Sequence, residues 1–236
     1  MNKLIIAQLV SALFLIITTT NAAADNPVNV SVSASLQPST WEGKNLNGGT
    51  SFDATGNALQ LNLNISKGLF YGGLSFQGAE YDFTNGAPNK VSKTVSVQDD
   101  DATIKRGEFD LVFGYYIIPQ MSLFIDFKTI ENNWENDAYS LRYKGAGLGV
   151  NGYHPLNKDW LLIGSIGFMG LDIKANGDSI GDGKGSALTI GALYKINQRA
   201  NFSIRLKAQH NEYDFDQGSE QEHDIAGLVF GISYGL

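Results

Sequence analysis

The sequence has no cysteine, so disulfide cross-links and thiolate metal sites are excluded, as is lipid attachment to an N-terminal cysteine. Proline is scarce, with 5 residues in 236. The net charge is −7, with 17 Lys and Arg against 24 Asp and Glu. A chain with so little concentrated positive charge is a poor partner for nucleic acid. Past the first segment no stretch approaches the ~18 unbroken apolar residues that mark a helical membrane span. What is plentiful is glycine (27) and tyrosine (10), a balance suited to extended strands.

The opening "MNKLIIAQLVSALFLIITTTNAAADN" has a basic Lys3, an apolar run from Leu4 to Ile17 broken by Gln8 and Ser11, and small residues at Ala22 to Ala24. This is the pattern of a secretory signal peptide over residues 1–24, with cleavage after Ala22 or Ala24. The run is short of the ~20 residues of a spanning helix. The remainder, 25–236, is expected to form one domain.

Period-two alternation recurs along that domain. "VNVSVSASL" sets Val28, Val30, Val32, Ala34 and Leu36 against asparagine and serines, and "ALQLNLNIS" sets Leu59, Leu61, Leu63 and Ile65 against Gln60, Asn62 and Asn64. "LFYGGLSFQ" follows a turn at Lys67–Gly68. "LVFGYYIIPQMSLFIDFK" (111–128) holds two such strands joined at Pro119–Gln120. In "YSLRYKGAGLGVNGY" the apolar phase moves from Leu141 and Tyr143 to Ala146, Leu148 and Val150, which suggests a bulge near Gly145. "WLLIGSIGFMGLDI" (160–173) is apolar at nearly every position and its faces stay open. Three more segments follow, with Leu188 to Ile196, Phe202 to Ala208 and Leu228 to Leu236 on their apolar faces.

About ten strands result, eight and twelve being the other even counts that fit. Short connections (Ser66–Gly68, Pro119–Gln120, His154–Asp159, Asn197–Ala200) alternate with long polar ones at about 38–56, 78–106, 129–137, 173–185 and 210–223. This describes an all-β fold, a closed antiparallel up-and-down transmembrane β-barrel, with both termini on the short-turn side.

A soluble β-sandwich would also alternate. Three features favour lipid. The polar faces hold charges at mid-strand, Asp110, Asp126, Lys128, Arg142, Lys144, Lys195, Arg205 and Lys207, which a closed lumen would let pair as a structural ion cluster. The apolar faces carry almost no charge, as lipid requires, since Arg or Lys at the bilayer midplane costs about 2–4 kcal/mol. Aromatics gather where strands meet connections: Phe70, Tyr115, Tyr153, Trp160, Tyr194 and Tyr234 at the short-turn end, and Tyr81, Trp134, Tyr139 and Tyr213 towards the other, as two interface girdles would.

The signal peptide, the hairpin series and the closing "HDIAGLVFGISYGL" resemble the small outer-membrane β-barrel proteins of Gram-negative bacteria, in the broad OmpA-like barrel class. The resemblance implies export to the outer membrane, lipid and lipopolysaccharide as surroundings, and a last strand read by the barrel-assembly machinery. That strand is Leu228, Phe230, Ile232, Tyr234 and Leu236, which ends on leucine where the class usually ends on an aromatic. No peptidoglycan-binding domain is expected after it, and a monomer is expected.

Sites are less legible. "AQHNEYDFDQGSEQEHD" gathers His210, Glu212, Asp214, Asp216 and His223, and "QDDDATIK" gathers Asp99, Asp100 and Asp101. Outer-membrane proteases of the omptin type place acids and histidines on opposing rims as general bases, and lipid-A-modifying barrels use histidine with serine and an acid. Neither local motif occurs at matching positions, so the expectation is a solvated acidic rim, with no catalytic residue and no cofactor. "NGDSIGDGKGS" (176–186) lacks the ligand spacing of a calcium loop and is expected to be a flexible connection without a metal. "EYDF" at 80–83 and 212–215 is expected to be a girdle tyrosine followed by a polar exit. About ten strands enclose little more than their own side chains, so a blocked or weakly conducting barrel is expected over an open pore. The expected role is structural or surface-interacting, towards an unknown extracellular ligand. The alternatives are a narrow channel for small solutes or, less favoured, a rim hydrolase.

Overall fold

Residues with alternating character pair their backbones sideways, and here they do so all the way round. The structure, a computed structural model, describes residues 27–46, 49–84, 86–97, 101–135 and 138–236. The signal-peptide reading and Asp99 and Asp100 lie outside the described residues. Ten long strands run antiparallel: β1 (Asn29–Asn45), β2 (Thr50–Lys67), β3 (Phe70–Phe83), β6 (Ala102–Ile118), β7 (Met121–Trp134), β8 (Ser140–Pro155), β9 (Trp160–Ala175), β10 (Asp178–Lys195), β11 (Ala200–Phe215) and β12 (Glu220–Gly235). Each pairs with its neighbour in sequence. β12 returns to β1 from Ser31↔Gly235 to Asn45↔Gln221, closing a ten-stranded barrel. Two short strands, β4 (Lys90–Val91) and β5 (Ser96–Val97), form a small hairpin inside the connection from β3 to β6.

The turns at one end are as short as the sequence suggests. In two of them the same device recurs: Asn157 Oδ1 accepts the amides of Asp159 and Trp160, and Asn197 Oδ1 accepts those of Arg199 and Ala200. A side-chain carbonyl completing a turn in this way is a frequent use of asparagine.

The other end corrects the sequence reading. The long polar connections expected at 38–56, 129–137, 173–185 and 210–223 are mostly strand. For example, β9 and β10 are joined by a tight turn in which Asn176 and Gly177 take φ of 49° and 100°. Residues 176–186 are therefore a turn and the start of β10, not a flexible loop. Only the connection between β3 and β6 stays long.

These strands were hidden because their polarity inverts part-way up. On β6 the outward face is apolar from Phe109 to Ile117. Nine residues at ~3.3 Å each, tilted by about 40°, rise about 23 Å, close to the ~25 Å apolar band of outer-membrane barrels. Above Phe109 the faces exchange character. Ile104 is buried inside while Lys105 points out to Glu80 and Glu135. On β8, Leu148 is 66% exposed whereas Leu141 and Tyr143 are fully buried. The pairing of β8 with β7 and β9 runs unbroken through Gly145, so the expected bulge there is absent. The phase change marks a change of surroundings: lipid below, water above. Register shifts occur instead at Tyr116/Ile118 and Ser179/Gly181.

The lower girdle stands where the sequence puts it. Phe70, Tyr115, Tyr153, Trp160, Tyr194 and Tyr234 are exposed, with Phe70 packed on Tyr115 and Trp160 on Tyr194. The upper girdle is a correction, because Tyr81, Trp134 and Tyr213 are buried inside the barrel and Tyr139 is half-buried. Both "EYDF" segments follow the same inverted rule, with Tyr81, Phe83, Tyr213 and Phe215 inside. β9 resolves likewise: Leu162, Ile166 and Phe168 face out, and Leu171 and Ile173 face in.

Candidate functional site in the barrel interior

The lumen is stacked in three layers. The top layer is an apolar plug. Trp41 meets Tyr81 and Phe83 edge-on at 5.1 and 5.3 Å, and Tyr143 lies 4.6 Å from Tyr213. Isoleucines 104, 130, 173 and 180 fill the space between. The connection carrying β4 and β5 folds over this plug. Asn45 Nδ2 donates to the Ala87 carbonyl, Gln221 Nε2 donates to that of Asn89, and the Tyr139 hydroxyl donates to the Val91 carbonyl at 2.7 Å. Val91 is fully buried beneath it. Burial also raises the Tyr139 hydroxyl above its ordinary range and pushes that of Tyr213 up to about 12.

The middle layer is charged. Arg106 and Glu108 on β6 pair at 2.8 Å, and Lys128 on β7 reaches Asp110 at 2.7 Å and Glu108 at 3.5 Å. Arg106 also donates to Asn132 Oδ1 and lies 5.3 Å from the Trp41 ring centre. Lys207, across the lumen on β11, donates to Gln77 Oε1 at 3.5 Å. Paired charges satisfied by further hydrogen bonds are the form in which burial of ions is tolerated.

The bottom layer is a cavity of about 680 Å³, open at the short-turn end. Tyr71 spans it: Asn151 Nδ2 donates to the Tyr71 hydroxyl at 2.8 Å, and that hydroxyl lies 3.1 Å from Ser122 Oγ. A side chain at Gly114 would overlap the Tyr71 ring, and one at Gly149 would overlap Phe124. Glycine is needed at both places for close approach.

The expected lumen cluster therefore divides. Asp110 and Lys128 are joined, and Asp126, Arg205 and Lys207 also point inward. Arg142 and Lys144 do not: they stand on the outside of the upper barrel, where Arg142 pairs with Glu131. They were misplaced because the inversion swaps the meaning of odd and even positions. Lys195 is exposed at the short-turn end, where the lumen opens to solvent. Arg106, at the centre of the layer, escaped the sequence reading because residues 78–106 looked like a loop, and Glu108 because it falls between that stretch and the strand read from residue 111. The signal was present, since Arg106, Glu108 and Asp110 keep the inward phase of Val112 and Gly114.

The rim histidines are separated by the barrel wall. His210 faces out, with Nδ1 2.8 Å from Asp224 and Nε2 3.3 Å from Glu212. The hydrogen bond to Asp224 raises its pKa above the ordinary histidine value. His223 faces in, within 4.8–5.4 Å of the Tyr213, Phe52 and Trp41 rings, and meets Gln221 Oε1 at 3.0 Å. Burial, with Arg106 nearby, pushes it down to about 3. Asp214 and Asp216 are exposed on the outside. Asp178 meets Lys93 at 3.3 Å. Among the described residues no group of His, Asp and Glu has the geometry to hold a metal ion.

No protein-family model matches this chain, and no curated protein does. Solved structures do resemble it. The outer membrane protease OmpT of Escherichia coli superposes with a TM-score of 0.55 at 12% identity, covering 93% of this chain and 99% of that one. The translocator domain of the autotransporter NalP of Neisseria meningitidis gives 0.49 at 9% identity, over 98% and 94%. The β-domain of the Bordetella autotransporter BrkA gives 0.47 at 10%, over 89% and 100%. At such identities the likeness concerns the fold, and with the closed ring and its exposed apolar band the fold of this chain is that of the outer-membrane β-barrels.

Proposed function

We propose that this protein is a non-conducting, non-enzymatic barrel of the outer membrane, which holds a rigid, polar-walled β-extension above the lipid for structural or surface-interaction purposes. One observation carries the reading. The extracellular half of the lumen is filled by a packed apolar core, and the described part of the β4–β5 connection is hydrogen-bonded over it. The outer wall of that half displays Glu42, Asp53, Glu80, Glu212, Glu222 and Asp224 together with Lys105, Arg142 and Lys184, a mixed-charge surface suited to a protein neighbour. On this reading the apolar face of β12, Leu228 to Leu236, meets lipid and serves the assembly machinery during insertion.

The test is conductance of the refolded protein in planar bilayers. No discrete steps are expected, and regular openings would restore the narrow-channel alternative. A rim hydrolase is disfavoured by the placement of His210 and His223 on opposite sides of the wall. Loss of a proteolytic or lipid-A activity in His210→Ala and Asp214→Ala variants would overturn that part of the reading.

A further inference from the structure

Like Asp126 and Lys207, Arg205 is an inward charge outside any ion pair among the described residues, but unlike them it lines a cavity. It lies on β11 opposite Gly191 and two residue pairs below the Lys207 level, and it lines both the 680 Å³ cavity and a smaller pocket of about 140 Å³ beside it. A side chain at Gly191 would strike the Arg205 stem, so this glycine lets the stem lie flat against the wall. Among the described residues no carboxylate lies within ion-pair distance of Arg205, and its Nε is buried with no hydrogen-bond partner. Arg106 and Lys128, by contrast, each have an acid at 2.8 Å or less. No Asp or Glu side chain lines either pocket, and the second basic lining residue, Arg199, stands at the mouth.

A half-buried guanidinium without a counter-charge is costly, because burial strips hydration that only a counter-charge or hydrogen-bond acceptors can replace. Its fork of donors matches a carboxylate or phosphate in two-point contact. The groups around it are hydrogen-bonding and uncharged: Ser33, Ser203 and Ser233 in the smaller pocket, Ser165 and Thr189 in the larger. Further along the cavity the rings of Tyr71 and Tyr116 lie 5.3 Å apart and offer an apolar face. The volume falls within the ~300–1,000 Å³ of small-molecule sites. The geometry points to a binding site, entered from the periplasmic end, for a small organic anion: a phosphate or carboxylate head on Arg205 and the serines, and a ring-sized body against Tyr71 and Tyr116. Because the plug closes the other end, such a molecule is held rather than passed through. Binding at Arg205 does not depend on the proposed surface role; that the molecule is held rather than passed through rests on the closed plug, which the conductance experiment tests separately.

The experiment is calorimetric titration of the full chain refolded in detergent with phenyl phosphate, benzoate, inorganic phosphate and, as the neutral control, phenol. Saturable one-to-one binding of phenyl phosphate or benzoate is expected, with inorganic phosphate weaker and phenol not binding; the stronger of the two anions tells phosphate from carboxylate. Arg205→Gln should weaken binding at least about tenfold, as loss of a charge-assisted two-point contact does. Arg142→Gln, on the outside, should leave it unchanged. If Arg205→Gln fails to give a folded barrel on unboiled gels, phenylglyoxal modification of the wild type replaces it. Phenyl phosphate should then protect Arg205 and leave Arg142 reactive. Absence of saturable binding, equal binding of phenol, or undiminished binding by a folded Arg205→Gln variant would each overturn the proposal, as would unprotected Arg205.

Discussion

A single charge moved along β8 measures the inversion of the barrel wall. Leu148 faces outward at the level of Ile125 and Phe168, its partners on the flanking strands, and all three are exposed. Arg142 also faces outward, six residues nearer the β8 start. At ~3.3 Å per residue and a tilt of about 40°, that is about 15 Å higher along the barrel axis. Leu148→Arg places a guanidinium near the bilayer midplane and should cost about 2–4 kcal/mol. That is about 30- to 700-fold in the folding equilibrium. Arg142→Leu removes only an exposed pair with Glu131, worth about 0–1 kcal/mol. Urea titration in lipid vesicles, followed by tryptophan emission and by migration on unboiled gels, gives both numbers. Near-equal costs for the two variants would refute a wall that passes from lipid to water between these residues.

Other outcomes follow from the interior. Glu108→Gln strips Arg106 of its acid and leaves Lys128 only Asp110, so a loss of about 3–5 kcal/mol is expected in the same titration. Gly114→Ala should cost about 1–3 kcal/mol by displacing the Tyr71 ring, and should perturb tyrosine absorbance in the near ultraviolet. His223 is held neutral in the fold, whereas in the unfolded chain it takes a proton below about 6.5. The unfolded state then binds more protons, so stability should fall from about pH 6.5 towards about pH 3, by at most about 1.4 kcal/mol per unit, and His223→Gln should flatten that slope. His210 has the opposite sign: its raised pKa adds stability that is full below about 6.5 and lost as pH rises through the folded value, a small effect on an exposed group that His210→Gln should remove.

Within the lipid band the fold was legible because one rule holds throughout: outward means apolar. β7 shows it plainly, with Met121, Leu123, Ile125 and Phe127 exposed and Ser122, Asp126 and Lys128 turned inward. The four short turns read equally well, since glycine, proline and asparagine mark them. Above the band the rule reverses, and a reading tuned to one solvent took the reversed strands for loops. Leu141 and Tyr143 kept perfect alternation with Arg142 and Lys144 but in the opposite sense, so the alternation was seen and its direction mistaken. Of the interior, the Asp110 and Lys128 pairing could be anticipated because opposed charges sat on adjacent strands. The lone position of Arg205 could not, because it depends on what every other strand places around the lumen. The same holds for the plug, whose aromatics come from strands far apart in sequence: Trp41, Tyr143 and Tyr213 meet only when the ring closes.

The absence of native cysteine makes the central claim directly measurable. Single cysteines at Ile125, Phe127, Thr129, Glu131, Arg142 and Leu148, each carrying an environment-sensitive fluorophore, can be tested in vesicles against quenchers dissolved in the lipid or in the water. Strong quenching by lipid is expected at Ile125, Phe127 and Leu148, and by the aqueous quencher at Glu131 and Arg142, with the change falling at Thr129. Lipid quenching at Glu131 and Arg142 as strong as at Ile125 would contradict a barrel that leaves the membrane and turns its greasy side inward.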